Sequence, residues 1–501
     1  MSTTSPHPPA SAPRTPSGPN SPDPAGRRPS PAPTSPGAGR SSQSAWPLLI
    51  RLHFYAGILV APFLIVAAAT GLAYAVTPQL DSLLYGDKLH VSSTSGTIVP
   101  IDEQVRAAQR AYPGGTLATV ATPVHRNDTT RVVLNVPELG AENQQTVFVD
   151  PYTGVVKGQL TTWYGDTPTT TWLDALHRNL HLGAFGRNYS ELAASWLWVI
   201  AGGGLLIWLG RPRTYRSGKL RHIVVPNLAP AKGVRRTRNW HASTGVWLIV
   251  GLFFLSATGL TWSNQAGARF SLALDALNAH APELDTSLPN SETAKAPAGH
   301  HPTAATTAPT EVDPAEVASV LTTARAAGLE GPLEIAAPPE PGSAWSATQT
   351  DNVWPVRKDQ LAIDPAQQQV TARNDWADYP FVAKLTKLGI KAHMGVLFGL
   401  INELLLVALM LGLICVTFWG YRMWWQRRPT RTGRRRQLGR TPSRGTWRPI
   451  PRAALAAGGL VTAGLCWAMP LFGWTLVAFL LADLYIAEFQ RQRDLASREL
   501  I

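Results

Sequence analysis

Cysteine is scarce in this chain. Only Cys415 and Cys466 occur among 501 residues, and both lie inside long apolar runs. Two such cysteines exclude a disulfide framework and a multi-cysteine zinc or iron–sulfur site. The first 45 residues also lack an apolar stretch, and twelve of the first 40 are prolines. This composition fits neither a signal peptide nor a packed core, so residues 1–45 are predicted to be a disordered tail.

Acidic side chains are absent from two loops. Residues 209–240 contain nine Lys or Arg and residues 421–452 contain eleven, and neither segment has an Asp or Glu. Segments 78–191 and 265–392 instead have more acidic than basic residues. Positive charge confined to alternate loops is the positive-inside pattern of membrane proteins. The net charge of +13 therefore indicates cytoplasmic loops and termini, and not a nucleic-acid partner.

Long apolar runs are the main feature that is present. Four runs of roughly 18–25 residues could each cross the ~30 Å hydrocarbon core of a bilayer. A fifth region, 453–487, is too long for one span and contains Pro470 and Gly473, so it is predicted to be a pair of helices. We expect six spans, with five as the alternative. The predicted segments are a tail at 1–45, core spans at 46–78, 171–210, 239–264 and 391–425, external domains at 79–170 and 265–390, basic loops at 211–238 and 426–452, the helical pair at 453–487 and a tail at 488–501.

The chain contains an internal repeat. Residues 51–57 (RLHFYAG) begin one span and residues 239–245 (NWHASTG) begin another, and Thr-Gly-Leu closes both spans. In both spans one glycine follows the histidine by four residues and another follows it by eighteen. Identical spacing at the same predicted depth indicates a duplicated unit.

Each repeat continues into an external segment with the same outline. A helix near 101–112 or 314–328 precedes alternating apolar runs that are typical of strands, and an Asp-Pro turn follows. The sequence therefore predicts an α-helical integral membrane bundle of four core spans plus a C-terminal helical pair, with two small extracytoplasmic α+β domains. The second turn reads DPAQQ where the first reads DPYTG, so a glycine-dependent turn is expected to be lost there. Residues 285–310 are predicted to be a flexible insert.

Five of the twelve histidines lie where apolar spans meet water. Histidine is costly inside a bilayer and is a good ligand for a metal or for heme iron, so this placement indicates either a cofactor site or histidines that hydrogen-bond to lipid headgroups at the interface. The core of a helical bundle can hold such a cofactor between facing helices. The candidates are His53 and His241 at the cytoplasmic ends, and His177, His181 and His393 at the external ends. Glycines on the same helices would give a flat ring room, namely Gly57, Gly71, Gly245 and Gly259.

The outer set leaves a choice open. The repeat matches His181 with His393, and His181 lies closer to the apolar core than His177 does. The four-residue spacing of His177 and His181 could also serve a zinc ion, with His393 or Asp174 as a third ligand.

These motifs as a set resemble the PepSY-associated transmembrane family of bacterial inner-membrane proteins. The similarity covers roughly residues 46–430 and is carried by residues 51–57, 69–72 (ATGL), 176–180 (LHRNL), 240–241, 393–395 and 420–425 (GYRMWW). The resemblance implies two external PepSY domains and two hemes b. His53 and His241 would hold the inner heme, and His393 with His177 or His181 would hold the outer one. Position 177 fits the commoner family pattern.

The resemblance further implies a function in electron transfer. The chain would carry electrons across the bacterial cytoplasmic membrane, from a cytoplasmic or quinol donor to an external acceptor such as a ferric siderophore in iron uptake. No nicotinamide or flavin fingerprint is present, since Gly202, Gly203 and Gly204 lie inside a span, and no nucleophile–base set indicates a hydrolase. The alternative is a non-enzymatic anchor whose PepSY domains bind peptides, proteases or cell-wall material. Glu403 and Asp483 are the main acids within spans, and Glu403 is expected either to transfer protons or to pair with a polar neighbour.

Overall fold

The structure, a computed structural model, describes residues 46–140, 142–210, 221–227, 232–288, 312–340, 342–427 and 451–499. The predicted tail 1–45 and most of the predicted insert 285–310 lie outside these residues, as do large parts of both basic loops. The helices are α1 (Trp46–Leu59), α2 (Ala61–Ala75), α3 (Thr77–Leu89), α4 (Ile101–Ala111), α5 (Pro168–Asn179), α6 (Gly183–Leu209), α7 (Arg221–Val224), α8 (Val234–Leu260), α9 (Gln265–Leu277), α10 (Pro314–Ala326), α11 (Phe381–His393), α12 (Leu400–Gln426), α13 (Arg452–Ala468) and α14 (Pro470–Glu499). The strands are β1 (Thr116–Ala121), β2 (Thr130–Asn135), β3 (Asn143–Val149), β4 (Val156–Trp163), β5 (Leu333–Ala336), β6 (Trp345–Gln349), β7 (Gln360–Asp364) and β8 (Gln369–Asn374).

Within the described residues, five helical stretches are long and apolar enough to cross a membrane. They are Ala61–Leu89, Gly183–Leu209, Val234–Leu260, Leu400–Gln426 and Pro470–Ser497. The first of the two C-terminal helices, α13, has 17 residues, fewer than the ~20 that a bilayer requires. The predicted sixth span therefore falls short of the usual length.

Four of these helices form a closed ring. Helix α2 packs on α6 and α12, and α8 packs on the same two neighbours from the opposite side. Leu64, Leu197, Leu252 and Leu413, one from each of the four helices, are buried in the shared core. Helix α1 precedes α2 and packs on α6, while α14 packs on the outside of α6. The predicted core bundle of four spans is thus present, and α14 lies beside it.

A proline interrupts the first span. Pro62 lies in the first turn of α2, and proline has no N–H with which to bond the carbonyl four residues earlier. That carbonyl belongs to Ile58, and the Tyr421 hydroxyl donates to its oxygen at 3.0 Å. A side chain from α12 therefore satisfies the group that the proline leaves free and joins α1 to the bundle.

The two predicted external domains share one sheet. Its eight antiparallel strands run in the order β4-β3-β2-β1-β5-β6-β7-β8, so each repeat contributes one half. The halves join where β1 pairs with β5, with Val120 opposite Ile335. Helices α4 and α10 pack on each other and cover one face of this sheet. The result is one hydrophobic core that contains residues of both repeats, including Val105, Val120, Val320 and Ile335.

The second Asp-Pro turn keeps the conformation of the first. The Asp150 carboxylate accepts from the backbone N–H groups of Tyr152 and Thr153, and the Asp364 carboxylate accepts from those of Ala366 and Gln367. Gln368 adopts a left-handed φ of 54° where Gly154 has 71°. The expectation that the turn is lost without glycine is therefore wrong. The side-chain bonds of the aspartate hold the turn, and the left-handed glutamine costs about 1 kcal/mol.

Candidate paired-histidine sites

The bundle has two distinguishable ends. Helices α3, α5, α9 and α11 lead from one end to the sheet, and we call this the sheet end. The opposite end, where α1 and α8 begin, is called the far end. Each of the two ends contains one pair of histidines.

The far-end pair consists of His53 on α1 and His241 on α8. The centroids of their imidazole rings are 6.3 Å apart, with 75° between the ring planes. The two residues come from different repeats. The structure thus brings together the two histidines that the repeat predicted as partners.

The sheet-end pair consists of His177 on α5 and His393 on α11. Their ring centroids are also 6.3 Å apart, with 43° between the planes. His181 lies elsewhere, in the short turn between α5 and α6. It has a left-handed φ of 55°, it is exposed, and its ring packs against that of Trp172 at 4.9 Å. The geometry therefore selects His177 as the partner of His393, and the repeat-based match of His181 with His393 does not hold.

The far-end histidines are held in one tautomer. The Nδ1 atom of His53 lies 3.0 Å from the Ile200 carbonyl oxygen, and Nδ1 of His241 lies 2.8 Å from that of Val416. A carbonyl oxygen only accepts, so Nδ1 carries the proton in both rings. In a neutral imidazole the other nitrogen, Nε2, then has a free lone pair. Both rings therefore keep an unprotonated nitrogen, which is the form of imidazole that can bind a metal.

The sheet-end histidines also carry their proton on Nδ1, where each ring donates to a threonine hydroxyl oxygen. The Thr70 hydroxyl donates its one proton to the Val66 carbonyl at 2.8 Å, so its oxygen accepts from Nδ1 of His177 at 3.0 Å. Thr258 likewise donates to the Phe254 carbonyl at 2.7 Å and accepts from Nδ1 of His393 at 2.8 Å. Within the described residues, Nε2 of all four paired histidines has no hydrogen-bond partner.

A glycine lies against each of the four rings. A Cβ atom added at Gly204 would come within 3.0 Å of His53, and one at Gly71 within 3.1 Å of His177. The equivalent contacts are 3.6 Å for Gly420 with His241 and 3.2 Å for Gly259 with His393. A larger residue at Gly204, Gly71 or Gly259 would press on the ring, whereas the contact at Gly420 is an ordinary van der Waals distance.

Two other glycines leave open space beside the far-end pair. Gly57 and Gly245 lie four residues after His53 and His241, on the same faces of α1 and α8. A Cβ at either position would meet no atom within 4 Å. Of the four glycines predicted to give a ring room, Gly71 and Gly259 thus contact histidines, whereas Gly57 and Gly245 border empty volume.

A comparison with protein families matches most of the chain. The family model described as the PepSY-associated TM region covers residues 50–427. The chain belongs to the PepSY-associated transmembrane family. The resemblance inferred from the sequence motifs is thereby confirmed. A search of curated proteins gave no match.

The paired sites of this family member follow its repeat. His53 and His241 are as far apart in the chain as Thr70 and Thr258, and His177 and His393 are as far apart as Gly204 and Gly420. Each repeat therefore supplies one far-end histidine, one sheet-end histidine and the groups that orient both. Each pair combines one ring from each repeat, so the sites lie where the two halves of the bundle meet.

Several groups at these sites escaped prediction. Thr70 and Thr258 belong to the repeated Thr-Gly-Leu segment, so the repeat is a signal that could have assigned them a role. Gly204 ends a run of three glycines and Gly420 begins the GYRMWW motif, but neither pattern by itself indicates contact with a histidine. The carbonyl groups of Ile200 and Val416 carry no sequence signal, because every residue has one.

A heme is expected at the sheet-end pair from the sequence, and on that expectation replacing Thr258 with Val should weaken its binding. Valine has the shape of threonine but cannot accept from Nδ1 of His393, so the ring loses its fixed orientation. Loss of such a supporting hydrogen bond typically lowers metal-site affinity about 10–100-fold. Titration of the heme-depleted protein with hemin would measure the change. Thr462→Val on α13 is the control, because its hydroxyl contacts only the Gly458 carbonyl, and it should bind hemin normally.

A cavity of about 1800 Å³ lies between the sheet and the bundle. The uncovered face of the sheet forms one wall, and Lys387 and Lys391 of α11 line the other, together with Met394 directly after the helix. Asp166, which precedes α5, also lines it. Burial is the main reason why the pKa of Asp166 rises to about 6, and Lys391 opposes this shift. Because α11 ends at His393, the cavity adjoins the helix that holds the sheet-end pair.

Glu403 and Asp483, the two span acids singled out from the sequence, are both paired. Gln79 donates to the Glu403 carboxylate at 2.6 Å. Of the two roles expected for Glu403, proton transfer or pairing with a polar neighbour, this contact matches the second. Asp483 on α14 forms an ion pair with Arg51 on α1. Arg51 is only 8% exposed and lies two residues before His53.

Proposed function

We propose that this protein holds two hemes b, one at each histidine pair, and carries electrons across the bacterial cytoplasmic membrane. The observation that supports this most directly is the repetition of one geometry at both ends of a single bundle. At each end two neutral imidazoles approach from different repeats, with Nε2 available on both. Two ligand pairs on opposite sides of a membrane suit electron transfer better than a structural metal, which would need only one site.

The spacing of each pair fits an iron atom between two imidazoles. An imidazole nitrogen binds a first-row metal at about 2 Å, and the nitrogen lies roughly 1 Å from its ring centre, so two ligands on one metal have centroids about 6 Å apart. Both pairs have 6.3 Å. Within the described residues no group of three or more metal-binding side chains occurs, and axial ligation of heme iron requires just two.

The protein's own groups would hold and tune the ligands. Hydrogen bonds at Nδ1 fix the orientation of each ring and increase the basicity of Nε2. The glycines beside the rings and the open space at Gly57 and Gly245 provide room for a flat macrocycle, and the apolar core excludes water. When bound, heme supplies one-electron redox chemistry at its iron.

The direction of transfer follows from the charges. The basic loops at the far end and the acidic external segments orient the sheet end away from the cytoplasm. The donor would be a cytoplasmic partner or a membrane quinol that reaches the far-end pair. The acceptor would be a ferric chelate such as a ferric siderophore, and the cavity beside α11 is large enough for one.

Spectroscopy of the purified protein tests this proposal. Protein from heme-replete cells should show the reduced-minus-oxidised bands of a b-type cytochrome and two hemes per chain. His53→Ala and His393→Ala should each remove about half of that heme, because each disrupts one pair. Reconstituted in vesicles with dithionite inside, the protein should reduce an external ferric chelate, and the double variant should not. A colourless preparation would contradict the proposal and leave the anchor function as the better explanation.

A further inference from the structure

The wall of the cavity nearest the bundle is strongly basic. Lys387 and Lys391 lie one turn apart on α11, and Lys358 in the segment before β7 faces the same space. Burial and then the Lys391 ammonium lower the pKa of Lys358, to about 8. The same two causes, in the same order, lower the pKa of Lys387. These three side chains, called the lysine cluster below, are therefore crowded together and partly removed from water.

No carboxylate is bonded to the lysine cluster. Lys358 donates to the neutral Asn352 side chain at 3.1 Å, and the Lys387 ammonium lies over the Tyr379 ring at 5.0 Å. Among the described residues, none of the three ammonium groups forms an ion pair. Half-buried charges of like sign repel one another, so this arrangement is costly without a counter-ion.

The acidic residues of the cavity do not compensate fully. Glu334 and Asp166 lie in electrostatic range of Lys391, so two carboxylates face the three ammonium groups. Arg131 adds a fourth positive charge beside Asp166. The carboxylates elsewhere on the wall mostly have other partners, namely Asp128 with His90, Glu316 with the Trp345 indole, and Asp364 with its own turn. Next to α11, the positive charges of Lys358, Lys387, Lys391 and Arg131 outnumber the carboxylates of Glu334 and Asp166.

We propose that Lys358, Lys387 and Lys391 bind a small polyanion, a chelate whose surface carries several carboxylate or phenolate oxygens. Ammonium groups clustered in a partly enclosed space form short, charge-assisted hydrogen bonds with such oxygens. The opposite wall of the cavity includes Arg131 and Thr348 from the sheet. This inference rests on the proposed function in one respect: the cavity adjoins α11, whose last residue is His393, so an anionic ferric chelate is the expected class of acceptor.

Calorimetry with a redox-inert probe tests the site. The full-length protein in discs of zwitterionic lipid should bind gallium(III) citrate and should bind a cationic gallium(III) trihydroxamate at least tenfold more weakly. Lys391→Gln should weaken gallium citrate binding about tenfold or more, since one charge-assisted contact is lost. Lys391→Arg should retain most of it. The control is Lys384→Gln on the same helix, whose ammonium donates to the Ala377 carbonyl and does not line the cavity.

The outcomes separate this inference from the proposed function. Unchanged gallium citrate binding by Lys391→Gln, or equal binding of both chelates, would overturn the lysine site. Loss of co-purified anionic lipid from Lys391→Gln, without gallium citrate binding by the unaltered protein, would show a headgroup site and also overturn it. Because gallium is not reduced, binding needs no heme. If the protein bound gallium citrate but contained no heme, the proposed electron transfer would be contradicted and the lysine site would still stand.

Discussion

His177→Ala should remove one of the two proposed hemes, and His181→Ala should remove neither. The sheet-end pair is formed by His177 and His393 with centroids 6.3 Å apart. Alanine at position 177 leaves a single imidazole there and also frees the Thr70 hydroxyl that held the ring. The far-end pair would keep its two ligands, so half of the heme should remain. A pyridine hemochrome assay on the purified variants measures this directly.

His181→Ala is a matched control for that experiment. It makes the same substitution four residues later, at an exposed ring that packs only on Trp172. Its heme content and spectrum should equal those of the unaltered protein. Heme loss from His181→Ala with full retention in His177→Ala would reverse the ligand assignment. Equal loss of both hemes from His177→Ala would show that the sites are not independent.

Asp483→Ala should destabilise the protein by about 3 kcal/mol, because it leaves Arg51 buried without its partner. This value is at the lower end of the range for breaking a buried ion pair, since the Asp483 side chain is 28% exposed and is partly solvated. The ion pair joins α14, which lies beyond the family-matched residues 50–427, to α1 next to His53. Loss of the contact should therefore also loosen the C-terminal helix. Denaturant titration in detergent micelles, followed by tryptophan fluorescence, measures the stability.

Two further variants identify the cause of that loss. Arg51→Leu combined with Asp483→Leu removes both charges and should recover most of the stability, because no charge is then left unpaired. Glu488→Ala on the same helix disrupts an exposed pair with Arg491 and should leave stability unchanged, as exposed pairs contribute little. If the double variant is as unstable as Asp483→Ala, packing and not charge would explain the effect.

The sheet shows which strands a sequence can reveal. The six inner strands contain Val, Leu and Ile residues, either alternating or consecutive, that are buried in the common core. Each of these strands matches an apolar run in the sequence. Strands β4 and β8 were not predicted. They are the two edge strands of the sheet. No residue of β8 is fully buried, so its sequence lacks the periodic apolar residues by which a strand is recognised. Their positions depend on backbone pairing with β3 and β7.

The choice between His177 and His181 shows a different limit. The motif around His181 resembles that around His393, but the two connections differ in length. Helix α5 continues two residues beyond His177, whereas α11 ends at His393 itself, and the loop that follows is longer in the second repeat. The depth of a histidine side chain in the bundle depends on where its helix ends and which way that face of the helix points. Similar residues after the histidine determine neither of these.

The sequence alone determined that this is a membrane protein with a duplicated unit, because apolar length, charge asymmetry and repeated spacing are properties of the chain itself. It also limited the ligand candidates to five histidines. Only the tertiary structure decided which four meet, that two external segments become one sheet, and that carbonyls and threonines hold each ring. Those outcomes are contacts between residues far apart in sequence, and they follow from packing of the two repeats against each other.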